Sequence, residues 1–88
     1  MVERDNLLTS IDEPGKSVRI RLKQDGVEAY SAPGGFVRLQ DKTGRMIAYV
    51  GIAPESTRFL SLKGLEHGTY KVELESFSGY TTSATVEA

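Results

Sequence analysis

The sequence predicts an all-β sandwich or barrel, on three observations. Several segments alternate apolar and polar residues with period two, as a strand with one buried and one wet face does. Gly, Pro or Asp bounds the segments at roughly ten-residue spacing. No segment carries a convincing helical period. The chain has 88 residues, enough for one domain. A chain of this size buries only about 60–65% of the surface its unfolded form exposes, so its stability margin is small. It lacks cysteine, so neither a disulfide nor a thiolate metal site reinforces it, and its 39% apolar residues must supply the core.

Met1 to Lys16 is the least patterned part. Leu7 and Leu8 form its apolar pair, and Glu13-Pro14-Gly15 ends it with a turn signal. An arm or linker over residues 1–16 is expected, with a short strand or helical turn around Asn6–Ser10 as the alternative. Ser17 to Lys23 is the clearest strand: Val18, Ile20 and Leu22 point one way, and Arg19, Arg21 and Lys23 the other. Asp25-Gly26 closes it with a turn. Val27 to Ala32 reads as a loop or short edge strand before the break at Pro33-Gly34-Gly35.

Phe36 to Gln40 is the next strand, with Val37 and Leu39 inward and Arg38 outward. Asp41-Lys42-Thr43-Gly44 is a hairpin turn. Arg45 to Gly51 returns as a strand that is apolar on both faces, so it is either central in a sheet or covers a partner surface. After the loop Ala53–Ser56, Thr57 to Leu62 is a strand in which Phe59 and Leu60 compete for the core. The stretch Leu65–Tyr80 organises the whole pattern. His67-Gly68 turns into a strand where Tyr70, Val72 and Leu74 alternate with Lys71, Glu73 and Glu75. It reads as a hairpin at a sandwich edge. Ser78-Gly79 then leads into a threonine-rich last strand, Tyr80–Glu87. The total is six to seven antiparallel strands, with the sandwich over residues 17–88.

Charge and motifs narrow the function. Eleven basic and 12 acidic residues give a net charge of −1, which offers no electrostatic reason to expect a nucleic acid or an anionic membrane. The longest apolar runs of four or five residues span no bilayer, so no membrane insertion is expected. The charged start Met1-Val2-Glu3-Arg4-Asp5 lacks the apolar core of a signal peptide. Compartment stays open: extracellular or cell-surface if the chain is excised from a longer one, otherwise virion or cytoplasmic. His67 is the single histidine and reads as a solvated turn residue, with no second ligand at metal spacing. No serine sits in a nucleophile elbow, and no glycine run cradles a phosphate. Asp12, Glu13, Asp25 and Asp41 match no calcium loop. No catalytic residue, cofactor or metal is expected, and the chain reads as a non-enzyme.

Surface residues carry the remaining signal. Arg19, Arg21, Lys23 and Arg38 occupy wet faces of two strands that could be neighbours, facing Lys71, Glu73 and Glu75 in a cross-strand charge ladder. Such a face is either solubilising or a patch for an anionic partner. Tyr30, Tyr49, Phe77 and Tyr80 overfill so small a core, so an exposed aromatic cluster is expected, with Phe77 its best candidate. The candidate partner-binding set is Arg19, Arg21, Arg38, Tyr49, Phe77 and Tyr80.

Leu65, Gly68 and Tyr70, followed by Gly79-Tyr80, resemble the Leu-x-x-Gly-x-Tyr…Gly-Tyr pattern of prealbumin-like and immunoglobulin-like surface modules. These include the B-type repeats of collagen adhesins, the PEGA domain and the carboxypeptidase regulatory-like domain. Phe36 to Arg45 is similar to the central hairpin of the adhesin repeats, and Leu22 to Gly26 to their opening, with one residue missing before the glycine. The resemblance covers residues 18–87 and implies an immunoglobulin-like or prealbumin-like sandwich. It also places Lys23 at the lysine that forms an intramolecular isopeptide bond in many adhesin repeats. Two departures argue against that bond here: Leu74 stands at the inward position where the family has glutamate, and the chain ends at Ala88, before the last strand that carries the partner Asn or Asp. The implied function is a non-catalytic binding or spacer module for a protein or carbohydrate partner. The alternative is a small self-associating structural protein, such as a virion decoration or tail accessory domain.

Overall fold

The computed structural model describes residues 6–88, and its eight strands form two antiparallel four-stranded sheets. The first sheet runs β1 (Asn6–Ile11), β2 (Val18–Lys23), β3 (Gly26–Ser31), β6 (Ser56–Ser61). The second runs β5 (Met46–Ile52), β4 (Gly35–Asp41), β7 (Thr69–Ser76), β8 (Thr81–Glu87). The sheets face each other through one continuous apolar layer. Val18, Ile20, Val27, Ala29 and Leu60 enter it from the first sheet, and Val37, Leu39, Tyr70, Val72 and Leu74 from the second. Each set sits at alternate positions, so the period-two pattern delivers both buried faces.

Polar groups at the layer's edge are satisfied. Tyr70 buries its ring and donates its hydroxyl to the Glu66 carbonyl at 2.8 Å. Buried Ser31 donates to the Gly34 carbonyl at 2.8 Å, and Ser76 shares a 2.8 Å hydrogen bond with Ser78. Gly35 is required where β4 meets β7. A Cβ there would collide with the Glu75 carbonyl oxygen and crowd Ser76, although its backbone angles are ordinary.

Four expectations change. Asn6–Ile11, expected within an arm over residues 1–16 with a short strand or helical turn around Asn6–Ser10 as the alternative, is a full strand of the first sheet; Met1–Asp5 lie outside the described residues. Met46–Ile52 is an edge strand, not a central one. Both strands contain a bulge, and the bulge obscures their alternation. On β1, Leu7 pairs with Arg21 and Thr9 with Ile20, so Leu8 is the extra residue and packs on the core beside outward Leu7. On β5, the register slips between Leu39 and Gln40, so Ile47 and Ala48 both reach the core while Met46 and Tyr49 stay outside. A bulge breaks alternation and mimics a strand buried on both sides.

Val27–Ala32, expected as a loop or edge strand, forms β3 in the sheet interior between β2 and β6. Its inward residues beyond Val27 are small, Ala29 and Ser31, which mutes the apolar signal. Finally β7 is interior, paired with β4 and β8, and β8 forms the edge of the organising hairpin. Alternation reports which face is buried and is silent on how many flanks are paired. In β6, Leu60 takes the core position, and Phe59 lies outside over Gly26.

The sheet edges are partly guarded. Arg58 donates to the Gly51 carbonyl at 3.1 Å, covering part of the free flank of β5. On the opposite side, Thr9 and Thr82 hydroxyls meet at 2.6 Å between β1 and β8. Leu74 is fully buried at the centre of the layer. Leu74→Ala is expected to cost about 2–5 kcal/mol, read as a lower urea midpoint at unchanged slope. A loss below about 1 kcal/mol would show that the layer does not close around Leu74.

Candidate functional site

The outer face of the β5-β4-β7-β8 sheet carries an aromatic cluster beside a charge network. Strand parity builds it. Val37 and Leu39 turn inward, so Phe36, Arg38 and Gln40 turn outward. Register then aligns two rows across the four strands: Tyr49, Arg38, Glu73 and Ser83 in one, Gly51, Phe36, Glu75 and Thr81 in the other. Phe36 stacks on Tyr49 with centroids 5.3 Å apart and planes at 25°. Phe77 meets Phe36 edge-on at 5.5 Å and 83°. Phe36, Tyr49 and Phe77 remain 37%, 52% and 63% exposed.

The charged half is held in place. Arg38 Nε lies 3.5 Å from a Glu73 oxygen, and its Nη2 lies 3.4 Å from Glu75. The same guanidinium sits 5.5 Å from the Tyr49 ring centroid. The Arg38 and Glu73 side chains are only 28% and 24% exposed, whereas Glu75 is 54% exposed, so Arg38–Glu73 is the less screened of the two pairs. Phe77 is anchored through its backbone N–H, which donates to the Gly34 carbonyl at 2.9 Å.

Two of the rings cover glycines. Phe36 lies against Gly51, and Phe77 against Gly34, as Phe59 does against Gly26 on the other sheet. An aromatic ring over a glycine shields exposed backbone, which accounts for these rings structurally. Tyr49 covers no glycine; its cross-strand partner is Arg38. It is the ring that fold maintenance explains least.

The predicted set therefore divides. Arg38, Tyr49 and Phe77 come together, with Phe36 added. Parity alone places Phe36 outward beside Arg38, and that was the available signal for it. Arg19 and Arg21 lie on β2, in the other sheet, so they form no joint patch with Arg38 and face neither Glu73 nor Glu75. Arg19 pairs instead with Asp12 at 3.4 Å and stacks on Tyr30 at 5.3 Å. Tyr80 donates its hydroxyl to Glu13 at 2.6 Å, and this bond raises the phenol's pKa. The ring thus joins the β7–β8 turn to the β1–β2 loop, apart from the aromatic trio.

The other candidates stay dispersed. His67 is exposed, with Nδ1 3.3 Å from the Ala88 carbonyl. Among the described residues no group of three His, Cys, Asp or Glu is placed to hold a metal ion. Asp12 and Glu13 belong to the β1–β2 loop, whereas Asp25 lies in the β2–β3 turn and Asp41 ends β4, at the opposite end of the strands. A recess of about 260 Å³ at that end is lined by Leu22, Lys23, Leu62, Lys63 and Glu87 and includes none of the aromatic trio.

No family model matches the chain, and no curated protein is similar to it in sequence. Among solved structures, it is similar to a DUF3244 family protein with an immunoglobulin-like β-sandwich fold from Bacteroides vulgatus. The two superpose with a TM-score of 0.75 at 11% identity, covering 96% of this chain and 98% of the other. The fold is an immunoglobulin-like β-sandwich. At that identity the likeness establishes the fold alone. It supports an immunoglobulin-like module in general, not the adhesin-repeat, PEGA or carboxypeptidase regulatory-like groups in particular.

Two predictions test local chemistry in this sandwich. Lys23 lies 3.9 Å from Glu28 at the end of β2, and Leu74 occupies the inward position on β7. The intact mass is therefore expected to equal the sequence mass; a deficit of one ammonia or one water would reveal an isopeptide bond. The second concerns Asp41, whose carboxylate is held below its ordinary value of 3.8, first by the Thr43 hydroxyl at 2.6 Å and also by the Arg45 and Thr43 backbone N–H groups. A depressed carboxyl pKa means that its contribution is present above the unfolded value and lost as pH falls through the lowered one. The Thr43 and Arg45 amide resonances are expected to titrate with a midpoint below 3.8. A midpoint at or above it contradicts the turn geometry.

Proposed function

We propose that this immunoglobulin-like sandwich is a non-catalytic binding or spacer module of a surface or extracellular protein. It meets a protein or carbohydrate partner through the outer face of the β5-β4-β7-β8 sheet. The observation that carries this reading is the convergence of Phe36, Tyr49 and Phe77 on one exposed face beside Arg38. Exposed aromatic groups with a polar rim mark interaction surfaces. The face is open, whereas acid–base or nucleophilic catalysis calls for convergent groups in a water-excluding cleft.

A second reading, self-association as a structural protein, draws on β5. This edge strand carries no charged residue and leaves Met46 and Tyr49 exposed. Arg58 on the Gly51 carbonyl counts against strand addition there. Light scattering across about a hundredfold concentration range separates the two readings: the binding module stays monomeric, and the assembly protein forms a defined oligomer.

Tyr49→Ala is expected to cost about 1–2 kcal/mol through loss of the stack on Phe36, and to leave the chain folded. The amide spectrum of the labelled protein, titrated with soluble glycans and matrix proteins, is expected to move at β4, β5 and Phe77 in the native chain and not in this variant. Shifts confined to the β1-β2-β3-β6 sheet would overturn the reading.

A further inference from the structure

We propose that the aromatic face binds a neutral polysaccharide of equatorially substituted pyranose rings. This rests on the face being the binding surface, and it names the ligand class.

Size argues first. The exposed parts of Phe36, Tyr49 and Phe77 amount to roughly 300 Å². A stable protein interface takes about 800 Å² from each partner, more than these rings supply on their own. They suffice for a short run of sugar units. Charge argues next. Glu73 and Glu75 already flank Arg38, and Lys71 stands in the adjacent row, so the outward charges of β4 and β7 cancel. A compensated face selects neither a polyanion nor a polycation.

Layout decides the class. Phe36 and Tyr49 lie on β4 and β5, Phe77 meets Phe36 from the start of the β7–β8 turn, and the carboxylates of β7 and hydroxyls of β8 continue the rows of Tyr49 and Phe36. Thr81 and Ser83 are the hydroxyl residues opposite Glu75 and Glu73. A pyranose with equatorial hydroxyls has this same division: an apolar C–H face, and a rim of groups that each donate and accept. Its C–H face lies on the rings while its rim meets guanidinium donors and carboxylate acceptors side by side. A proline-rich peptide offers carbonyl acceptors to Arg38 but few N–H donors to Glu73 and Glu75, whereas each sugar hydroxyl both donates and accepts. The open surface suits a polymer lying across it rather than a small ligand enclosed by it. The anchored backbone of Phe77 and the Arg38 ion pairs hold the site ready before binding.

Cellohexaose is the probe, titrated into the labelled chain and followed by amide shifts and calorimetry. Mannohexaose, a heparin hexasaccharide and a proline-rich decapeptide are the comparisons. Saturable cellohexaose binding is expected, centred on Phe36, Tyr49 and Phe77. Tyr49→Ala is expected to weaken it at least about tenfold, and Tyr30→Ala, on the other sheet, less than about twofold. Mannohexaose, with an axial hydroxyl on each ring, is expected to bind more weakly, and heparin no better. Absence of shifts at about 10 mM cellohexaose overturns the proposal, as does binding that survives Tyr49→Ala. Shifts at the same rings from the peptide alone overturn the saccharide class and leave the binding face standing. If no probe of any class moves these residues, both fall.

Discussion

The structure depends on burying one face of each sheet against the other in a chain with little apolar surface to spare. The layer rests on branched aliphatic residues, Val18, Ile20, Val37, Leu39, Val72 and Leu74, all essentially inaccessible to solvent. They interlock at alternate positions of β2, β4 and β7, where close packing gives most of the stabilisation that a small domain has. No disulfide supplements this layer. The close approach of β4 to β7 depends on Gly35, because any side chain there would meet the Glu75 carbonyl.

The outer surface follows from that inner constraint. A layer filled by aliphatic residues has room for one aromatic ring, Tyr70, whose hydroxyl reaches Glu66 at the rim. Phe36, Tyr49, Phe59 and Phe77 remain outside. Three of them cover glycines, so backbone shielding and display of rings to solvent coincide on the same residues. Convergence distinguishes the two outer faces. Phe59 shields Gly26 on the β1-β2-β3-β6 sheet, while Phe36, Tyr49 and Phe77 contact in series beside Arg38 on the other. That contrast is the ground on which the interaction role is proposed for one face.

Much of this was legible in the residues. The alternation of Val18, Ile20 and Leu22 and of Tyr70, Val72 and Leu74 identified the strands and their inward faces correctly. The Asp41–Gly44 hairpin was legible because Asp41 accepts from the turn's own N–H groups, a local interaction. Arg38, Tyr49 and Phe77 were recognisable as surface candidates from parity and from the excess of aromatic residues over core volume. In both β1 and β5 a bulge shifts the period by one residue and obscures the alternation. The grouping of Arg19 and Arg21 with Arg38 failed because similar wet faces do not state which sheet they belong to.

The sequence by itself determined the class of fold, the inward residues of the regular strands and the positions of most turns. These depend on period and on local backbone chemistry, both written within a few residues of each other. Only the tertiary structure decided which strands are interior, how the eight divide between two sheets, and which rings meet Arg38. Those outcomes depend on pairings between residues far apart in the chain, such as Phe36 with Glu75 and Arg38 with Tyr49. Alternation constrains which face a residue takes, and long-range register sets its neighbours.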